Sequence, residues 1–495
     1  MKTITMSLIA IALLATIPAI AEDKISIKRK LKGNMTEEYL ILPEATKTIG
    51  GMFTEGVFYG RLRSNSFYWE WEKETWDKAT KKGNLNNKNM GMGGSMIFKS
   101  AYYNGIAFTA GYYGSINPDG FRVDVDEVGG SKAGKDTFSR YNVKKTGTYD
   151  GGMHILGQAY LEYKNKMFNL MAGRQLFESV FTSSNDTKMI PNTFDGGVAT
   201  VKIAQETKLR VAYFGNQKLR DHTSIHDVIT FKDSAGDSWN NNDDAPVHQG
   251  LSYANFKKAG EDTDHDLIIA DINTKIVKNL NATLSLLSVP DVVKDVVVET
   301  LYTMPILKEW SITPSIRYYL QMDDGAGKVA GYTNLTGNVA TGYVDSVKTS
   351  IDSSLLNAKI DLNMPNEKGL FRIGYSKVED KADILAPWRG FPTGGYTRAM
   401  GQYNWYANTK TFMGYAEYKF TSSFNGSVGY AVQDFDDKKV NAPTDSNVWH
   451  IDLGYKFNPV FYSKVRVGLI SEDPANSGKN DNSYKEYRLE FNYLF

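Results

Sequence analysis

The chain has 495 residues, with 57 lysines and arginines against 56 aspartates and glutamates, no cysteine, 30 tyrosines, 24 phenylalanines and 8 tryptophans. The net charge of +1 argues against a nucleic-acid partner, which calls for a basic excess, and zero cysteines remove disulfides, thiolate metal sites and cysteine nucleophiles. No apolar run long enough for a spanning helix follows residue 21, so a helical membrane protein is excluded. Length alone allows about three domains at roughly 150 residues each. The aromatic load instead suits a single barrel with aromatic girdles at two membrane interfaces.

Residues 1–21 read as an export signal. Lys2 supplies the positive region, residues 7–17 the apolar stretch, and Ala19-Ile20-Ala21 a small-x-small cleavage site. Residues 22–52 form a polar, basic segment with Lys24, Lys28, Arg29, Lys30 and Lys32, expected at the periplasmic side or in the mouth of a barrel. From residue 53 to 495 period-two alternation dominates and reads as one all-β domain, a transmembrane antiparallel barrel of about 18 strands.

Ile155, Leu161 and Tyr163 alternate with His154, Gln158 and Glu162. Farther on, Trp310, Ile312, Ile316, Tyr318 and Leu320 alternate with Thr313, Ser315, Arg317 and Gln321, and Phe371, Ile373 and Tyr375 with Arg372. Toward the end Trp449, Ile451, Leu453, Tyr455 and Phe457 oppose His450, Asp452 and Lys456, and Val465, Val467 and Leu469 oppose Lys464 and Arg466. In the last segment Tyr487, Leu489, Phe491, Tyr493 and Phe495 share one face, and Glu486, Arg488, Glu490 and Asn492 the other. Short turns such as Asn104-Gly105 and Asn425-Gly426 alternate with long polar stretches near 116–150, 216–262, 322–352, 380–402 and 434–446. That is the asymmetry of short periplasmic turns and long extracellular loops. The glycines of Gly91-Met92-Gly93-Gly94 carry no Walker lysine and are expected to relieve crowding in a curved strand.

A barrel of this size leaves an aqueous channel, and an inward polar face requires water or pairing. Parity assigns Arg61, Arg63, Lys208, Arg210, Arg317, Arg372, Lys419, Lys456, Lys464, Arg466 and Arg488 to the lumen, against Glu162, Glu417, Asp452, Glu486 and Glu490: 11 bases and 5 acids. Such a wall concentrates anions, unless its charges pair among themselves.

The segment NDTKMIPNTFDGG at 185–197 resembles a motif of OprD-family porins. FTEGVFYGRLRSNSFYWEW at 53–71 is similar to that family's first strand, and the stretch 133–266 resembles Opr-family porins of epsilonproteobacteria. The resemblance implies an 18-stranded monomer in the outer membrane of a Gram-negative bacterium, with loops folded inward. It implies passive uptake of small hydrophilic solutes, with carboxylates or amino acids guided along a basic track. Matched by motif, Arg61 or Arg63, Lys188 and Arg317 fall in that track, which Arg372 extends by parity. The region NTKTFMGYAEYKF offers Lys410 and Lys419 where the family commonly shows Arg-Tyr pairs. Lysine lacks the bidentate fork, which favours a less selective pore.

Two loops are constriction candidates. One is 185–197, with Asp186, Pro191 and Asp195; the other is 385–395, with Trp388 and Arg389. His222 and His226, flanked by Asp221 and Asp227, are weak metal candidates in an acidic stretch that lacks a calcium-loop register. That His-containing acidic loop, 216–262, also keeps open an alternative: a barrel hydrolase, or a surface receptor or adhesin. No catalytic residue, cofactor or nucleic-acid partner is expected. The expected partners are solutes and ions, outer-membrane lipid and lipopolysaccharide, and the barrel-assembly machinery through Phe495.

Overall fold

The alternating segments form long antiparallel strands. A computed structural model describes residues 29–31, 37–39 and 43–495, apart from 135, 185–187, 233–247, 249, 330–349, 402–403, 441 and 475–477. The export signal, Asp186, and Asp233, Asp237, Asp243 and Asp244 of the acidic loop lie outside the described residues.

Eighteen strands build the wall. They are β1 (Val57–Trp71), β2 (Asn87–Lys99), β3 (Ile106–Ile116), β4 (Met153–Lys164), β5 (Phe168–Gln175) and β6 (Thr193–Ala204). Next come β7 (Thr207–Lys218), β8 (Leu267–Thr274), β9 (Leu280–Val289), β10 (Val293–Tyr302), β11 (Ser311–Asp323) and β12 (Ser353–Asn363). The last are β13 (Gly369–Val378), β14 (Lys410–Lys419), β15 (Phe424–Asp434), β16 (Asp445–Lys456), β17 (Phe461–Asp473) and β18 (Tyr484–Leu494). Each pairs antiparallel with its neighbours, and β18 returns to β1 from Tyr484↔Trp71 to Leu494↔Arg61. Closure leaves no strand edge, the condition hydrocarbon imposes on a spanning sheet.

Phe495 extends this seam. Its N–H donates to the Gly60 carbonyl and its own carbonyl accepts from the Gly60 N–H, both at 3.1 Å, while its ring lies 6.3 Å from that of Phe58. Residues 100–105, 165–167, 205–206, 275–279, 364–368, 420–423 and 457–460 are short connections at one end. The long connections 117–152, 219–266, 324–352 and 379–409 are at the other, where only 290–292 is very short. A short helix, Ile49–Thr54, is capped by the Thr48 hydroxyl, which accepts from Gly51 N–H at 2.9 Å. Just before it, Ala45–Thr46 pairs with Tyr102–Tyr103 at the short-turn end.

The outer face is apolar, with Leu62, Met96, Leu161, Val211, Leu286, Val298, Ile316, Ile360 and Ile373 exposed along it. Aromatic rings band both ends. Phe58, Phe420, Tyr455 and Phe457 lie toward the short turns, and Tyr68, Tyr213, Tyr318, Phe412, Tyr430 and Trp449 toward the long loops. An apolar band between two aromatic girdles is the surface a bilayer selects. One stretch is phased opposite to the sequence expectation. The register steps from Gly111↔Gln158 to Tyr112↔Leu156, leaving Gly157 as a bulge on β4, so Ile155 is buried inside while His154 faces outward, bonded to the exposed Tyr112 hydroxyl. A one-residue bulge reverses every side chain beyond it.

Candidate functional site

The interior has two levels. Toward the long loops, the inner faces of β6–β13 are apolar: Phe194, Phe214, Leu267, Ile269, Leu287, Val293, Val297, Tyr319, Leu355 and Val378 are all buried. Against them pack loop residues Phe177, Phe181, Val228, Ile229, Leu251, Ile384, Leu385, Trp388 and Trp405. Apolar wall and apolar loop remove each other from water, which fixes the loops inside the barrel.

Two of these loops meet. Thr182 and Arg389 form an antiparallel bridge, Ser183 N–H donates to the Trp388 carbonyl at 3.1 Å, and Gly390 N–H donates to that of Phe181 at 3.0 Å. Trp388 Nε1 donates to the Val228 carbonyl at 2.9 Å, drawing in the 219–232 segment as well. The structure therefore joins the loops carrying both constriction candidates. Trp388 and Arg389 are each 1% exposed, and Arg389 takes φ +67° at the turn.

The first of these loops also packs on the opposite wall. Met189 and Ile190 are fully buried with Ile97, Tyr113 and Met153, and a Cβ on Gly91 would meet Met189 Cγ at 2.7 Å and Thr137 Cβ at 2.9 Å. Gly91 thus makes room for infolded loops more than for strand curvature. Lys188 is buried beside Asp136 (2.7 Å), which also takes Arg220, and its ammonium lies 4.6 Å from the Phe67 ring centre. Burial, opposed by Asp136, pushes the Lys188 ammonium down to about 8. Pro191 sits in this packing and its carbonyl accepts from Lys218 Nζ at 2.7 Å. Asp195 does not join a constriction. It neighbours the interior Phe194 on a strand, so it takes the opposite face, where Arg174 grips it at 2.8 and 3.0 Å.

Toward the short turns the same strands turn polar. A cavity of about 540 Å³ is lined by Thr200, Lys208, Arg210, Asp271, Asn273, Thr283, Ser285, Val297, Glu299 and Arg317, with Ser179 and Val180 from the 176–192 loop. Arg210 pairs with Asp271 at 3.0 Å through Nε, and Arg317 with Glu299 at 3.0–3.2 Å. Beyond the cavity Asp361 takes both Arg372 (2.6 and 2.8 Å) and Lys359 (2.9 Å). Across the lumen Asp452 holds Lys464, Arg466 and His450 at 2.8, 2.9 and 3.2 Å; Glu486 holds Arg488 at 2.7 Å; and Glu490 holds Arg63 at 3.4 Å. Arg61, at 2% exposed, lies beside Arg63 on β1.

Most of the basic residues assigned by parity are engaged by acids rather than forming a free basic track. Arg63, Arg210, Arg317, Arg372, Lys464, Arg466 and Arg488 each meet a carboxylate. Lys208 makes no ion pair among the described residues. The expectation missed the acids Asp271, Asp295, Glu299 and Asp361 and the bases Lys99 and Lys359 on unphased strands, which reduces the imbalance. Asp361 and Lys359 were readable from the Leu356, Ala358, Ile360 alternation. Glu299 was hidden by the apolar run Val296-Val297-Val298.

The histidines of the acidic loop face inward. His222 Nδ1 and His226 Nε2 share a hydrogen bond at 2.8 Å, His226 Nδ1 contacts the Asp227 carbonyl at 2.8 Å, and both rings lie against Phe231. His265 Nδ1 bonds Asp227 at 3.1 Å. The two facing ring nitrogens of the metal candidates thus serve each other. Burial pushes His222 down to about 4; His226 is lowered too, by burial and by His222, and His248 well below the usual value by burial.

No protein-family model matches this sequence, and no curated protein matches it. Solved structures do. OccK8 (OprE) of Pseudomonas aeruginosa is similar at 13% identity and a TM-score of 0.66, covering 90% of this chain and 99% of that one. OccAB4 of Acinetobacter baumannii is similar at 12% identity and 0.63, covering 88% and 98%. P. aeruginosa OpdK, solved with vanillate, is similar at 13% identity and 0.62, again covering 88% and 98%. The shared property is the closed 18-strand barrel.

Proposed function

We propose that this chain is an OprD-like outer-membrane porin, of the type its 133–266 segment resembles in epsilonproteobacteria, carrying small hydrophilic solutes by passive diffusion. The observation that supports it most is the charged cavity inside a closed barrel whose outer face is apolar and banded by aromatics. A wall this polar is costly unless water or solute fills the space beside it. Lys208, Arg210 and Arg317 with Asp271 and Glu299 offer both signs of charge along one path. Small carboxylates and amino acids can exchange contacts there between Lys208, Arg210 and Asp271, with Lys208 as the cation that needs no displacement of a partner. OpdK, similar in fold, was solved with vanillate, a carboxylate. Arg61, Arg63, Lys188, Arg317 and Arg372 act in this reading as parts of paired clusters, so overall ion selectivity is modest.

The test is planar-bilayer recording of the purified, heat-modifiable protein. Discrete openings with a weak ion preference are expected, together with a K208Q variant whose reversal potential in dilute salt shifts toward cations. A barrel that inserts without conducting would overturn the reading.

A further inference from the structure

Arg317 bridges a wall carboxylate and the backbone of an infolded loop. Its Nε and Nη2 donate to Glu299 at 3.0–3.2 Å. Its Nη1 donates to two backbone carbonyls of the 379–409 loop, Pro392 and Gly394, both at 3.0 Å. The guanidinium lies 4.8 Å from the Tyr396 ring centre, and the Tyr396 hydroxyl returns to Glu299 Oε1 at 3.0 Å. Around this knot, Lys359 Nζ lies 5.3 Å from the same ring and Asn357 Nδ2 reaches the Pro392 carbonyl at 3.4 Å. Opposite, Gly374 lets the loop seat against β13: a Cβ there would meet the Tyr396 carbonyl at 2.3 Å.

We infer that Arg317, Glu299 and Tyr396 form a latch that seats the 379–409 loop at the boundary between the apolar and charged levels, and that Arg317 thereby sets the aperture rather than serving as a rung for solute. This deepens the porin reading and rests on it. A planar fork is what the geometry requires: one edge grips the carboxylate while the remaining donors bind two carbonyls at once. A lysine keeps the charge but cannot fill both sets of contacts. Charge toward solute and grip on the loop can therefore be separated by substitution.

The latch has a mechanical consequence. The loop it holds carries Trp388, which bonds the Val228 carbonyl, and Gly390, which bonds the Phe181 carbonyl. Releasing the 391–397 end loosens one support of a junction between three loops. The expected signature is a wider, noisier channel rather than a channel of altered charge preference.

The experiment compares R317K, R317Q, E299Q and Y396F with the parent in planar bilayers, after a heat-modifiability check that each barrel has assembled. R317K and R317Q should both raise unitary conductance, on the order of twofold, with more open-channel noise. E299Q should follow in the same direction and Y396F less. Reversal potential should move in R317Q but stay near the parent value in R317K. If R317K behaves as the parent in conductance and noise while R317Q shifts only the reversal potential, Arg317 is a rung and the latch is wrong. If the parent itself never conducts, the porin reading fails instead.

Discussion

The two levels of the barrel interior share strands but not chemistry. On β8 the inner face passes from Leu267 and Ile269 to Asp271 and Asn273; on β9 from Val289 and Leu287 to Ser285 and Thr283; on β12 from Leu355 to Lys359 and Asp361. The backbone period is two throughout. What changes is the partner: infolded loops on one level, water and countercharges on the other. A strand buried on both faces loses its alternation and reads as a continuous apolar run. Such runs in this chain mark where a loop enters the barrel. In the porin reading proposed above, the two levels divide the work: packed loops set how wide the passage is, and paired charges set what it prefers.

The packed level is most exposed to disruption at Trp388. Loss of a buried tryptophan side chain costs roughly 3–5 kcal/mol at a well-packed site. W388A also abandons the bond to the Val228 carbonyl. Conductance of W388A should rise well above the parent value, with the reversal potential unchanged. A conductance equal to the parent's would remove the loops from control of the aperture.

Acid should act on the same level. The His222–His226 pair is held neutral by burial near Lys218, Arg389 and Arg140, with Asp221 and Asp227 as the nearby acids. A lowered basic group binds its proton less readily in the closed arrangement than in an opened one. Its contribution is therefore full above pH 6.5 and is lost as pH falls from there through about 4. The loss approaches roughly 1.4 kcal/mol per pH unit for each ring. Between pH 6.5 and 4, open-channel noise should increase and then recover on return to neutral pH. H226F should blunt that response.

How much of this was legible in the sequence follows from the same division. The last strand is readable residue by residue, because Tyr487 to Phe495 alternate with Glu486, Arg488 and Glu490, which pair on the strand itself or, for Glu490, with Arg63 across the seam. Arg317 and Arg372 were placed in the lumen for the same reason. The acid that neutralises Arg317 sits on a strand where one face gives no contrast, in the run after Val296-Val297-Val298, and Asp361 is the carboxylate of Arg372 on the neighbouring strand. His154 and Ile155 take the reverse phase because of the bulge at Gly157, whose mark in the sequence is a single strand glycine. The junction of Thr182 with Arg389 joins segments far apart in the chain, and nothing local to either one encodes it.

Changes on the charged level should be smaller and separable. D361N leaves Arg372 and Lys359 without their shared carboxylate. Its reversal potential should shift toward anions in dilute salt. The shift should shrink as the Debye length falls from about 10 Å at 0.1 M to about 3 Å at 1 M. Conductance at high salt should stay near the parent value. The smallest effect is expected at the seam: deleting Phe495 removes a ring contact worth roughly 0.5–1.5 kcal/mol and two bonds to Gly60. The fraction of heat-modifiable protein recovered from membranes should drop, whereas barrels already assembled should melt close to the parent.

The most direct test of the two-level interior exploits the absence of cysteine. Ser285 lines the charged cavity, below the packed loops. In S285C, oriented in a planar bilayer, small and bulky charged thiol reagents can be added from either side while conductance is followed. The expected result is block by both reagents from the short-turn side, and block from the long-loop side by the small reagent but far more slowly by the bulky one. Equal rates from both sides for the bulky reagent would mean that the loops leave the passage open, contradicting the division of aperture and charge between the two levels.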